Sequence, residues 1–262
     1  MNLFDAHCHL QDARLRADLP GVMTRARAAG VEHMLCCGTA EDDWAEVARL
    51  AEEYPAVVPA FGLHPWYAQR RSPAWMERLR ALLAGQATAA VGEIGLDHAI
   101  EDRNDAEQEA VFLAQLQLAR ELERPVVIHC RRAWGRLIAL LAELRTLPRG
   151  FVVHSYSGAR ELIEPLAGAG GWFSFSGSIT WRRNVRGREA ARHAPRDRLL
   201  VETDAPDLMP AMPQTTATVE DAVNEPANLV RVLAVVAELR NTPAEVMAEQ
   251  VWGNARRFAG CR

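Results

Sequence analysis

Lysine is missing from this chain, and all 30 basic residues among its 262 are arginine. The absence removes every mechanism built on a lysine amine: Schiff-base aldolases, pyridoxal phosphate enzymes, P-loop nucleotide hydrolases, and hydrolases whose paired metals share a carbamylated lysine. Long apolar runs are missing too. None approaches the roughly 18 residues that cross a bilayer, and Met1-Asn2-Leu3-Phe4-Asp5 lacks the basic start and apolar core of a secretion signal. A cytoplasmic protein with no membrane partner is therefore expected. Neither sign of charge dominates: a net charge of −4 and a pI near 6.1 leave no global basic footprint, so any contact with a polyanion has to be local. Cysteine is sparse. The five residues, Cys8, Cys36, Cys37, Cys130 and Cys261, are odd in number and lack metal-site spacing, which fits reduced thiols.

What remains is 49% hydrophobic and 24% charged, the composition of one ordinary globular domain spanning 1–262. Short apolar runs rich in Val, Ile and Phe alternate with longer stretches of helical spacing. Strands are expected over Leu3–Cys8, Glu32–Cys37, Val57–Leu63, Ala89–Ile94, Pro125–Cys130, Gly150–Ser155, Trp172–Ser178 and Leu199–Thr203. Their ends fall about 24 to 36 residues apart, a regular strand–helix period. Eight such units in a chain of this length point to an α/β fold, a TIM-like (β/α)8 barrel, with an open doubly wound sheet as the alternative. Helices are expected over Glu107–Leu122, Pro226–Leu239 and Pro243–Phe258, the last opened by Asn241-Thr242 as capping residues. Asp207–Asn224 has little periodicity and reads as a long loop.

Polar, metal-capable side chains stand at the C-terminal ends of the apolar strands. The first strand ends Asp5-Ala6-His7-Cys8-His9, and because strand side chains alternate, His7 and His9 project to one side and can share an ion. Glu93, His129, His154 and Asp204 close four further strands. A single buried histidine is usually satisfied by the backbone. Five strands ending this way are not explained so simply, and in a parallel barrel these residues converge on one mouth. Four histidines and two carboxylates exceed what one tetrahedral ion takes, so two divalent metals with a bridge are expected. Without a lysine, Glu93 is the candidate bridge. His7, His9, Glu93 and Asp204 are assigned to one metal, and Glu93, His129 and His154 to the other. Asp204 doubles as the candidate general base on a metal-activated water, giving hydrolysis as the reaction class.

With these residues in view, the sequence resembles the TatD family of metal-dependent deoxyribonucleases, in the amidohydrolase superfamily. The match runs in family order through Asp5-Ala6-His7-Cys8-His9, Gly62-Leu63-His64-Pro65, Gly92-Glu93-Ile94-Gly95-Leu96-Asp97, Ile128-His129-Cys130-Arg131, His154-Ser155-Tyr156-Ser157-Gly158, Glu202-Thr203-Asp204-Ala205-Pro206 and Asn224-Glu225-Pro226. The resemblance implies a barrel, divalent metals at the six positions named above, and hydrolysis of phosphodiesters, often as a DNA exonuclease. Tyr156 stands where the family is expected to favour Phe, and His98-Ala99 where an aromatic is common; both are expected to bear on substrate preference.

Around the six residues the signals are weaker. His64 and Arg131 are candidates for contact with a substrate phosphate or leaving group, and Trp66 and Tyr67 for base stacking. Arg182 and Arg183 lead a segment, Trp181–Arg188, that is the best candidate for binding a phosphate backbone. Asp97 and Glu202 are expected to orient metal-binding histidines, and Cys8 and Cys130 to point into packing. The expected substrate is DNA, single-stranded or entered from an end, with Mg²⁺, Mn²⁺ or Zn²⁺ as the ions and a monomer or weak oligomer as the working state. The alternatives are hydrolysis of another ester or amide, such as an aminoacyl ester on tRNA, and a barrel without catalysis.

Overall fold

Each apolar run becomes a strand, and the eight strands lie parallel in sequence order, each hydrogen-bonded to its neighbour. The computed structural model describes residues 1–144, 147–211 and 222–261. In it β1 spans Leu3–Cys8, β2 Val31–Cys37, β3 Val57–Phe61, β4 Ala90–Asp97, β5 Val126–Arg131, β6 Phe151–Val153, β7 Gly171–Phe175 and β8 Leu199–Val201. Beyond β8 the sheet meets its own beginning. The Asp204 N–H donates to the His7 carbonyl (2.9 Å) and the His9 N–H to the Ala205 carbonyl (2.7 Å). These bonds close the ring into the expected barrel and exclude the open sheet.

Four strands end before the expected residue: β3 at Phe61, β6 at Val153, β7 at Phe175 and β8 at Val201. Past these ends the backbone still reaches the neighbouring strand, where the His154 N–H donates to the Ile128 carbonyl (3.0 Å) and the Glu202 N–H to the Phe175 carbonyl (3.1 Å). The helices are α1 (Ala13–Arg16), α2 (Leu19–Ala28), α3 (Trp44–Glu53), α4 (Trp75–Gly85), α5 (Asp105–Glu121), α6 (Trp134–Glu143), α7 (Ile163–Gly168), α8 (Val185–His193), α9 (Leu229–Leu239) and α10 (Ala244–Ala259). Helix α5 starts two residues before the expected Glu107 because the Asn104 side chain accepts from the Glu107 N–H, and Asp105 and Glu107 then complement the positive end of the helix. Ahead of α10, the expected cap is not made. Thr242 donates its hydroxyl back to the Arg240 carbonyl (3.1 Å), and the helix begins behind Pro243. Within the expected loop Asp207–Asn224, residues 212–221 lie outside the described residues.

Two apolar layers hold the barrel. The outer one packs helices on strands through Leu3, Val91, Ile94, Ile128, Phe151, Val153, Phe173 and Val201, with Cys8 and Cys130 among them as expected. The inner one fills the barrel with Phe4, Ala6, Leu35, Cys37, Val58, Ala60, Val127, Val152 and Leu200, and Phe258 and Ala259 of α10 pack against it. Strict alternation would carry the inward face of β1 from Phe4 and Ala6 to Cys8. Instead the register against β2 shifts between Asp5 and Cys8, so Cys8 joins the outer layer and His7 and His9 turn inward. A shift of the same kind between Val91 and Ile94 turns Glu93 inward on β4. In both strands an extra residue re-aims a functional side chain.

Candidate metal centre

At the C-terminal mouth, four atoms from three strands gather into one cage. His7 Nε2 and His9 Nε2 are 3.1 Å apart. Glu93 Oε2 lies 3.5 Å from each of them, and Asp204 Oδ1 lies 3.6 Å from His7 and 3.7 Å from His9. Tetrahedral ligands at 2.0–2.2 Å from an ion are spaced roughly 3.3–3.6 Å apart, so these separations fit a divalent cation. Asp204 reaches the cage from a left-handed backbone conformation (φ 57°), an arrangement of non-glycine residues that clusters at functional sites.

A second group shares the same carboxylate. Glu93 Oε1 lies 3.0 Å from His129 Nδ1 and 2.8 Å from His154 Nε2, and those two nitrogens are 3.3 Å apart. His64 Nε2 approaches to 3.4 Å. Its tautomer sets it apart, because His64 Nδ1 accepts the Trp66 backbone N–H (3.2 Å). A neutral His64 therefore carries its proton on Nε2 and faces Glu93 as a donor, not as a lone pair for an ion.

The remaining nitrogens are oriented by groups behind them. His9 Nδ1 meets the Cys37 carbonyl at 2.8 Å, His129 Nε2 meets Asp97 Oδ2 at 3.2 Å, and His154 Nδ1 faces Glu202 Oε1 at 3.5 Å. The contacts of His9 and His129 place a proton on the far nitrogen and leave the near one free, the role expected of Asp97; Glu202 faces His154 Nδ1 as an ion-pair partner without a hydrogen bond. His7 Nδ1 rests 3.4 Å from the Cys37 thiol. Glu202 is itself fixed by the Ser155 N–H (2.6 Å) and the Ser174 hydroxyl.

Electrostatics make this nest a cation trap. Burial would raise the Glu93 carboxyl, but the imidazoles of His154, His64 and His7 outweigh it and hold Glu93 well below the usual carboxylate range. Burial would likewise lower His154, yet Glu93 and Glu202 push it well above its ordinary value. His129 is raised against burial by Asp97 and Glu93, whereas burial dominates at His64 and brings it down to about 4. Without ions, protons on His129 and His154 balance the buried carboxylates; a divalent cation does so with more charge and the same donors. Asp5 behaves differently. Wholly buried, it is raised to about 8 despite its hydrogen bonds with Thr203, which tie β1 to the end of β8.

The donors open into a cleft of about 470 Å³ lined by His9, Gln11, Asp12, Arg14, Thr39, Asp43, His64, Trp66, Tyr67, Glu93, His129, His154, Asp204 and Asp207. Arg14 is the arginine in this lining, held between Asp12 (2.9 Å) and Asp207 (2.8 Å). Arg131, Arg182 and Arg183 stand outside it, with the Arg183 guanidinium over the Trp181 ring at 5.1 Å. Tyr156 is buried with its hydroxyl on the Ala159 carbonyl (2.8 Å) and its ring edge-on to Trp134 and Phe173. It does not face the cleft, so its difference from Phe is a matter of packing.

Two glutamines escaped the sequence reading. On α5, Gln108 bonds both the N–H and the carbonyl of Asp97 (2.8 and 3.0 Å), and Gln115 does the same for Leu63 (2.7 and 3.1 Å). They clamp the strand ends that carry Asp97 and His64. The signal that could have found them is two glutamines seven residues apart on the stripe of Val111, Phe112 and Leu116, where burial demands partners. Gly95 has the converse role. At φ 150° a Cβ would meet the His129 carbonyl oxygen at 1.9 Å, so only glycine lets β4 lie this close to His129.

Known proteins resemble this chain over nearly its whole length. The family model for TatD related DNases matches residues 4–260. The 3'-5' ssDNA/RNA exonuclease TatD of Edwardsiella piscicida is 35% identical over 258 residues, covering 98% of each chain. The metal-dependent hydrolase YcfH of Escherichia coli K12 is 34% identical over 261 residues, 98% of this chain and 96% of that one. Among solved structures, the TatD homologue YjjV of Escherichia coli K12 superposes with a TM-score of 0.91 at 33% identity, over 99% of this chain and 98% of the other. A TatD family hydrolase from Entamoeba histolytica shares the fold at a TM-score of 0.85 and 20% identity, over 98% of each chain. No helix among the described residues is long and apolar enough to cross a membrane. A barrel whose mouth gathers histidines and carboxylates in family order over nearly the whole chain leaves one conclusion: the chain belongs to the TatD family of metal-dependent deoxyribonucleases, as a hydrolase of that type.

Proposed function

We propose that this protein hydrolyses phosphodiester bonds of single-stranded DNA, working from an end, with two divalent cations held in the mouth of the barrel. His7, His9, Glu93 and Asp204 hold one cation, and Glu93, His129 and His154 the other. The observation that carries this reading is the double use of Glu93, whose Oε2 faces the first donor set and whose Oε1 faces the second. The exonuclease relatives, named for single-stranded DNA and RNA, support the substrate. When bound, the cations supply Lewis acidity that acidifies water and offsets charge on a phosphate.

The chain's own groups do the rest. Asp204 lies beside His7 and His9 and is placed to accept the proton of the attacking water at Oδ. His64, kept neutral by burial, can donate a hydrogen bond from its Nε2–H to a phosphate or leaving-group oxygen in place of Glu93, without giving up the proton. Arg131, Arg182 and Arg183, outside the cleft, are assigned to backbone phosphates farther along the strand.

The test is nucleotide release from a single-stranded oligonucleotide with Mg²⁺ or Mn²⁺, abolished by EDTA, alongside elemental analysis and deacylation of charged tRNA. Metal-loaded protein that spares DNA while deacylating tRNA overturns the nuclease reading.

A further inference from the structure

Trp66 is half exposed, at 50%, and is the one aromatic among the exposed large hydrophobic side chains of the described residues. It lines the metal cleft. Both of its N–H donors are nevertheless committed. The indole N–H donates to Asp97 Oδ2 (2.8 Å), and the backbone N–H donates to His64 Nδ1 (3.2 Å). The ring stands edge-on to the His64 imidazole, 5.0 Å between centroids at 88°. An exposed indole normally samples several rotamers; this one is fixed along its edge by a buried carboxylate while part of its surface stays open to solvent.

From this geometry we infer that Trp66 is a preorganised platform on which an unpaired nucleobase stacks beside the scissile phosphate, an inference that rests on the nuclease reading. A flat, apolar surface tethered at its edge suits the π-face that every base carries, so it binds without sequence preference. Its fixed orientation removes part of the ordering cost of association. A paired base cannot use it without leaving its stack, which selects single strands and frayed ends. The tether also makes Trp66 a positioning residue, because the Asp97 oxygen that accepts its indole N–H is the one that faces His129 Nε2 at 3.2 Å.

The experiment measures binding of the metal-loaded protein to a phosphorothioate single strand, which resists cleavage, by fluorescence anisotropy. A second strand lacks the bases of its two terminal nucleotides at each end. Trp66→Ala is expected to weaken binding of the intact strand by about 5- to 150-fold, the factor for one base stack, and to leave the abasic strand unaffected. Trp66→Phe keeps a ring and is expected to restore most of the affinity. Lacking the indole N–H, it is expected to lower kcat on the unmodified strand by about 2- to 10-fold, with KM little changed. Equal losses on both strands, or no loss on either, overturn the inference, as does wild-type protein that binds no strand. Wild-type protein that binds as expected but fails to cleave unmodified DNA overturns the nuclease reading alone.

Discussion

Replacing Asp97 with Asn tests whether the second donor set depends on the carboxylate behind it. Asp97 is wholly buried, and its two oxygens receive three donors. Oδ2 takes the Trp66 indole N–H and faces His129 Nε2, and Oδ1 takes the Ala99 N–H at 2.8 Å. An amide keeps one acceptor. Whichever way the substituted side chain turns, its NH₂ meets a donor, and no water can take the place of the lost oxygen. Leaving a buried donor without an acceptor costs about 1–3 kcal/mol, a factor of about 5 to 150. With the NH₂ turned towards His129 and Trp66, the acceptor that keeps the His129 proton on Nε2 is gone; turned towards the Ala99 N–H, the NH₂ leaves that donor unpaired. In either case the charge that supports the His129 proton is lost, although Nδ1 must stay free beside Glu93. Chelator-competition titration is expected to resolve two ions, with the more affected one weakened by about that factor and the His7–His9 site nearly as tight as before. Unchanged affinity for both ions, or equal weakening of both, would refute the reasoning.

Three further outcomes follow from the same geometry. Glu93→Gln is expected to deplete both sites at once, because each carboxylate oxygen serves a different donor set; elemental analysis that finds one ion retained in full removes Glu93 as the bridge. Asp204→Asn is expected to keep most of the metal but lose about 10²- to 10⁴-fold in kcat, the usual contribution of a general base, and retention of both metal and rate ends that assignment. Metal affinity is expected to rise with pH. His129 and His154 are raised above their ordinary values without ions, and a cation must displace their protons, so affinity rises with pH by up to about tenfold per pH unit for each proton released below those values and levels off above them. A flat titration from about pH 6 to 8 counts against those two histidines as ligands.

Much of the centre was legible because each of its six residues follows an apolar run, and a histidine or carboxylate closing a buried strand needs a reason to be there. The missing lysine narrowed the bridge to a carboxylate. What escaped depends on three dimensions. The pairing of β1 with β2, and of β4 with β5, makes the register shifts that turn His7 and Glu93 inward. Gln108 and Gln115 read as ordinary polar residues until their stripe is laid against the ends of β3 and β4. Trp66 and Asp97 are 31 positions apart, and no local pattern couples them. Arg182 and Arg183 drew attention by charge, a property that says nothing about distance from a cleft, and they stand outside the lining, in which Arg14 is the arginine.

The sequence by itself determined the strand–helix period, the residue types at the strand ends and the impossibility of lysine chemistry, because these depend on order and composition alone. Only the tertiary structure decided which atoms come within 2.8 to 3.7 Å of one another, which imidazole nitrogen carries each proton, and which exposed ring is fixed in place. Those outcomes depend on closure of the barrel and on hydrogen bonds between residues far apart in the chain.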